Sequence, residues 1–124
     1  FADRYFGYDD AVYAGARLLE ILTRKEGKVS DLLSGIPSMV NTPEIRMDCS
    51  DEKKFQIVEK LTEDFKKEYE VIDVDGARVL FDGGWGLIRA SNTQPVVVLR
   101  FEARDEALLE EIRGIFMEKL KRLM

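Results

Sequence analysis

The chain has no histidine, one cysteine and three prolines in 124 residues. Without histidine there is no Ser/His or Cys/His nucleophile–base pair and no imidazole ligand for a metal. Catalysis carried by this chain alone is left to carboxylates, lysines or tyrosines. Cys49 stands alone, which excludes an internal disulfide and a cysteine metal cluster. Its place at the end of a predicted strand suits a small buried apolar residue, and a reduced, cytoplasmic setting fits. No apolar run approaches the roughly 20 residues of a membrane span, so no membrane partner is expected. An excess of positive charge is missing too. Lys and Arg number 19 against 24 Asp and Glu, for a net charge of −5. That argues against nucleic-acid binding, which needs a basic surface, and it makes any anion site a local positive spot.

Hydrophobic residues make up 45% of the chain and charged residues 35%, the balance of a folded globular domain. Asp9 or Asp10 can cap a helix with Val12, Ala16, Leu19 and Leu22 on one side, stopping near Gly27. Two carboxylates there fit a cap plus a first-turn charge better than a metal site. A short helical turn through Leu32 and Leu33 follows. Ile36–Pro43, with prolines at 37 and 43, reads as an extended connector. From Glu44 onward the order is strand, helix, strands, helix. Ile45 and Met47 alternate with Arg46 and Asp48 in the first strand. Ser50 caps a helix with Asp51 and Glu52 in its first turn and Phe55, Val58, Leu61 and Phe65 as its apolar stripe. Asp75-Gly76 signals a two-residue hairpin turn, and Asp82-Gly83-Gly84 turns again. Asp105 caps a last helix with Leu108, Ile112, Ile115, Phe116 and Leu120 on one side. Strands joined by short turns pair antiparallel. The predicted fold is therefore α+β, a four-stranded antiparallel sheet with two helices on one face, preceded by a helical arm.

The stretch Trp85-Gly86-Leu87-Ile88-Arg89-Ala90-Ser91-Asn92-Thr93-Gln94-Pro95-Val96 carries the chemistry. A short strand delivers Arg89, then Ser91, Asn92 and Thr93, before a proline opens the next strand. Arg89 offers a planar fork of donors. The three short polar residues add side-chain donors and expose backbone N–H groups at a turn. We expect these donors to converge where no carboxylate competes. Ser91 has no base beside it, so it reads as a hydrogen-bond donor and not as a nucleophile. Arg100 either supports this site or pairs with Glu102 or Glu44. Trp85 and Phe101 read as core residues.

The segment from Gly84 to Ala103 resembles the last domain of the α-D-phosphohexomutases, and among them the bacterial phosphomannomutase/phosphoglucomutase branch. The likeness extends to Tyr5-Phe6-Gly7-Tyr8-Asp9-Asp10, to Arg17-Leu18-Leu19-Glu20-Ile21-Leu22 and to Asn41-Thr42-Pro43-Glu44-Ile45. It implies that the Arg-Ala-Ser-Asn-Thr loop grips a phosphosugar phosphate through Arg89, Ser91, Asn92 and Thr93. It further implies a TATA-binding-protein-like last domain over 41–124, with 1–40 as the helical end of the preceding domain plus a connector. The parent enzyme would interconvert hexose 1-phosphate and hexose 6-phosphate through a bisphosphorylated hexose intermediate, with Mg2+. The family's phosphorylated serine, metal-binding aspartates and sugar loop lie in earlier domains, and their motifs do not occur here. No catalytic residue, metal ligand or cofactor is therefore expected in this chain, which starts on Phe1 as a C-terminal piece would. Its expected partners are a phosphosugar and the preceding domains of the same enzyme. A different function, a non-catalytic interaction module that uses the sheet as a binding face and takes no small ligand, is the competing expectation.

Overall fold

The structure is a computed structural model that describes residue 1 and residues 5–124. It divides into two compact units, Phe1–Pro37 and Ser38–Met124.

The first unit is built on helix α1, Ala11–Thr23. Asp10 is its cap: one carboxylate oxygen accepts the Tyr13 N–H at 2.8 Å and the other accepts the Tyr5 hydroxyl at 2.9 Å. Those bonds hold the Asp10 carboxyl below its ordinary range, the Tyr13 N–H being the larger influence, and push the Tyr5 hydroxyl up. No three His, Cys, Asp or Glu gather to hold an ion among the described residues. No residue of α1 is buried, and Val12 and Leu19 of its apolar stripe are 84% and 65% exposed. A 3-10 turn over Val29–Leu33 follows.

The second unit holds six strands and two helices. The strands are β1 (Val40–Asn41), β2 (Ile45–Asp48), β3 (Glu70–Ile72), β4 (Ala77–Phe81), β5 (Gly84–Ala90) and β6 (Val96–Ala103). The helices are α2 (Asp51–Phe65) and α3 (Glu106–Lys121). All pairings are antiparallel, in the order β1-β6-β5-β4-β3, with β2 also on β6. The expected four strands thus become six. Part of the surplus comes from the connector: Val40 and Asn41 lie opposite Ala103 and Glu102. Thr42 ties in further, its N–H to the Phe101 carbonyl at 3.0 Å and its hydroxyl oxygen accepting the Phe101 N–H at 3.2 Å.

Both helices cover one face of this sheet. Val97, Leu99, Phe101 and Ala103 of β6 alternate inward with Ile88 and Ala90 of β5 and Ala77 and Val79 of β4. Leu61 and Phe65 of α2 and Ile112, Phe116 and Leu120 of α3 close over them, each at most 1% exposed. Burying such a side chain is worth about 1.5–3 kcal/mol. Phe116 packs tilted against Phe65 and edge-to-face with Phe101, at ring-centroid distances of 4.5 Å and 5.2 Å. Its ring comes this close to β5 because position 86 is glycine; a Cβ there would stand 2.4 Å from the Phe116 ring.

Several local expectations change. Phe55 is 52% exposed, whereas Lys54 is 2% exposed and takes its place on the inner side of α2. The first buried turn of that stripe is spaced 54, 58, 61, 65. Ser50 holds the N-cap position without a side-chain hydrogen bond, whereas Asp105 caps α3 by accepting the Leu108 N–H at 2.9 Å. The connection from β3 to β4 runs over Asp73–Gly76 and is longer than a two-residue turn. Phe101 and Cys49 are buried as expected, but Trp85 sits on the sheet's other face beneath the Arg78 guanidinium, 4.4 Å from its ring.

Candidate functional site

The face of the sheet away from the helices carries the charged cluster. Strand alternation sends Gly86, Ile88 and Ala90 of β5 to the core, so Trp85, Leu87 and Arg89 point the other way. Arg89 lies opposite Val98 of β6, and Val98 lies opposite Arg46 of β2. Residues in such a row share one side of the sheet, so Arg46, Val98 and Arg89 stand side by side. Arg100, two residues on from Val98, joins them in the next row opposite Leu87. Glu44, Asp75, Leu87, Arg89, Val98 and Arg100 line a shallow depression of about 380 Å³.

Two carboxylates, Glu44 and Asp75, share this depression with Arg89 and Arg100, and Arg46 stands beside it. Glu44 accepts the Arg46 Nε–H at 2.8 Å and an Arg100 N–H at 3.4 Å. The Arg46 hydrogen bond, followed by the charges of Arg46, Arg100 and Arg89, holds the Glu44 carboxyl below its ordinary range. Asp75 accepts an Arg89 N–H at 3.3 Å. The expectation that no carboxylate competes for Arg89 is therefore overturned. The β3–β4 turn is the reason. Ala77 pairs with Ile88, which lays Gly76 on the Arg89 backbone and Asp75 beside its side chain. The pair is long and exposed on both sides, with side-chain exposures of 44% and 64%. Such a pair is worth only about 0–1 kcal/mol, so the guanidinium remains available to a stronger anion.

The loop after Arg89 is a closed hydrogen-bonded turn. Ser91 N–H donates to the Val96 carbonyl at 3.0 Å, and Val96 N–H donates to the Gln94 carbonyl at 2.8 Å. The Ser91 hydroxyl oxygen accepts from the Gln94 and Thr93 N–H groups at 3.2 and 3.4 Å. This leaves the Ser91 O–H proton to donate outward, consistent with a donor role. It also spends most of the backbone N–H groups that the sequence led us to expect as anion donors; Asn92 carries the loop N–H without a described acceptor. The Asn92 and Thr93 side chains are exposed. Gln94 is held from two sides: its side-chain oxygen accepts from Arg46 at 2.6 Å, and its carbonyl accepts from Lys54 Nζ at 3.0 Å. Cys49 N–H fixes the Pro95 carbonyl at 2.8 Å.

Arg89 and the Ser91–Thr93 loop thus lie at the same end of β5, as the sequence suggested. Arg46 and Glu44 were not singled out as site residues. The alternation of β2 shows that Arg46 faces away from the core, but only the register onto β6 puts it beside Arg89. A larger cavity of about 500 Å³ lies near Asn92, between α2 and the β3–β4 turn. Glu59, Glu63, Asp73 and Asp75 line it against Lys66 alone, which makes it a poor place for an anion.

Residues 44–119 match the phosphoglucomutase/phosphomannomutase C-terminal domain. A phosphomannomutase/phosphoglucomutase of Pseudomonas syringae pv. tomato is 46% identical over 124 residues, covering 99% of this chain and 27% of that enzyme. A phosphoglucomutase of Neisseria gonorrhoeae is 44% identical over 119 residues, covering 94% of this chain and 26% of its own length. The X-ray structure of a phosphoglucomutase/phosphomannomutase family protein from Burkholderia thailandensis superposes with a TM-score of 0.79 at 46% identity, over 99% of this chain and 26% of that one. The chain spans about a quarter of the length of these relatives. Its sequence and its antiparallel α+β fold together show that it belongs to the phosphoglucomutase/phosphomannomutase family, with residues 44–119 as that family's C-terminal domain.

Proposed function

We propose that this domain binds the phosphate of a phosphosugar and serves a hexose-phosphate mutase by anchoring whichever phosphate is not reacting. The observation that carries this reading is the row of Arg46, Val98 and Arg89, with Arg100 beside it, running into the Ser91–Thr93 loop. Arg89 supplies a charge-assisted, forked contact. The Ser91 O–H, the Asn92 N–H and side chain and the Thr93 hydroxyl complete a set of donors around one anion. Arg46 and Arg100, each paired with Glu44, raise the local potential in a chain that is acidic overall.

In the parent enzyme this contact positions the sugar, because a phosphate held away from the reacting oxygen fixes the geometry of the other end. A bisphosphorylated hexose intermediate has to turn around between the two transfers. A site that reads a phosphate and not the ring hydroxyls accepts both orientations. The relatives carry both phosphomannomutase and phosphoglucomutase in their names, in keeping with a domain that leaves sugar choice to others.

Residues 1–40 are assigned in this reading to the end of the preceding domain. Because Val40, Asn41 and Thr42 are hydrogen-bonded into the sheet, any pivot that closes the domain over its ligand lies before Val40. The described residues gather no carboxylates fit to hold Mg2+, so the ion's chemistry is not assigned to this chain. The isolated chain is accordingly proposed to be inactive and to remain unphosphorylated when mixed with glucose 1,6-bisphosphate.

Titration of the chain with glucose 1-phosphate, followed by amide chemical shifts, tests the reading. Shifts at residues 89–94 that glucose itself does not produce support it. Shifts spread over the sheet with none in the loop, or none at all, overturn it and favour the interaction module.

A further inference from the structure

Lys54 is the one buried charged residue among the described residues, 2% exposed. A lysine is rarely buried unless its ammonium is paired. It also sits in the first turn of α2, where the helix dipole disfavours a positive charge. Two acceptors answer these costs: Asp51, one turn earlier on α2, and the carbonyl of Gln94, 40 residues away in the loop, at 3.0 Å. Asp51 is itself mostly exposed, at 72% of its side chain. Among the described residues, the acceptor that draws the ammonium inward is the Gln94 carbonyl of the loop.

We propose that Lys54 is a positioning residue for phosphate binding, its ammonium holding the Gln94 carbonyl so that the Ser91–Thr93 donors are fixed before the anion arrives. This rests on the loop being the phosphate site. The Gln94 carbonyl is the acceptor that closes the loop, since Val96 N–H donates to it as well. Gln94 N–H in turn donates to the Ser91 hydroxyl oxygen, which aims the Ser91 proton. Lys54 therefore reaches Ser91 through one residue, without touching the ligand. Loss of the ammonium leaves the Gln94 carbonyl with its Val96 partner, so the fold has no orphaned carbonyl to destabilise it.

The test compares the wild-type chain with Lys54→Met, which keeps the length of the side chain, and Asp51→Ala, which leaves Lys54 and the core in place. Each is titrated with inorganic phosphate and with glucose 1-phosphate, and hydrogen exchange of the Gln94 and Val96 amides is measured with no ligand present. Lys54→Met is expected to speed exchange at Gln94 and Val96 and to weaken both anions about tenfold, the scale on which misplaced binding groups act, with exchange in β5 and α3 unchanged. Asp51→Ala is expected to shift both readouts in the same direction by less, and it decides the matter if Lys54→Met does not fold. Wild-type affinity and loop exchange in a folded Lys54→Met chain, or in Asp51→Ala when it alone folds, overturn the proposal while leaving the loop as the phosphate site. A wild-type chain that binds neither anion overturns the phosphate reading itself, and the role of Lys54 with it.

Discussion

Arg89 and Asp75 face each other at 3.3 Å on the open side of the sheet, an arginine at the end of β5 and an aspartate on the turn between β3 and β4. The arginine proposed to hold phosphate thus carries an internal anion in the ligand-free chain. On the proposed reading, a phosphate dianion displaces it by offering more charge and a matching fork of acceptors.

If Asp75 competes in this way, removing it is expected to strengthen binding. Asp75→Asn is expected to tighten glucose 1-phosphate by roughly twofold to fivefold, which corresponds to the ~0.5–1 kcal/mol of an exposed ion pair. Isothermal titration of wild type and variant side by side checks this. Equal or weaker affinity in Asp75→Asn contradicts the competition.

The turn that brings Asp75 to Arg89 depends on Gly76. Its φ is +80°, and a Cβ at this position would lie 2.2 Å from the Ile88 carbonyl oxygen and 2.8 Å from the Arg89 Cα. Both the left-handed backbone and the close approach require glycine. Gly76→Ala is expected to cost more than ~1 kcal/mol and to lower Tm by roughly 4 °C or more. Calorimetry reads this directly, and an unchanged Tm would show that the turn relaxes freely.

The two helices are joined on their outer side by Lys119 of α3, which donates to Asp64 of α2 at 2.6 Å and to Glu68 at 3.0 Å. The Lys119 hydrogen bond holds the Asp64 carboxyl below its ordinary range, and the Asp64 bond holds the Lys119 ammonium above its own. The depressed acid stabilises the fold above its unfolded value of about 3.9, and that contribution is lost as pH falls through the lower folded value. The raised base stabilises below about 10.4 and loses its contribution as pH rises through the higher folded value. Asp64→Asn is expected to flatten the acid limb of unfolding free energy against pH. Lys119→Met is expected to flatten both limbs. Denaturant titrations at a series of pH values check the slopes, and limbs identical to wild type would remove the pair from the account.

Much of this architecture was legible from residue spacing. Ile112, Phe116 and Leu120 on the inner side of α3, a cap at Asp9 or Asp10, the Asp105 cap and the strand that delivers Arg89 follow from period and side-chain type, whereas Leu109, 4% exposed, takes the inner place expected of Leu108. Three features were hidden for physical reasons. A two-residue strand such as Val40–Asn41 is too short to show alternation, and its flanking prolines suggest only extension. The buried Lys54 fits the helical spacing of Val58, Leu61 and Phe65 better than Phe55 does, but residue type alone sends a lysine to solvent. The Arg89–Asp75 contact depends on hairpin register, which fixes what lies beside the arginine 14 residues away in sequence. The side chains proposed as donors were readable in the sequence; the carboxylates beside them and the loop's own use of its N–H groups required the folded backbone.

The central claim rests on Arg89, and the measurement that tests it most directly is the dissociation constant of glucose 1-phosphate for the wild-type chain and for Arg89→Ala. The side chain is partly exposed and its ion pair with Asp75 is weak, so the variant is expected to keep the wild-type Tm. Loss of a charge-assisted contact of about 1.5–3 kcal/mol predicts a dissociation constant raised roughly tenfold to a hundredfold. The same dissociation constant in both folded proteins would contradict phosphate binding by Arg89 and the function built on it.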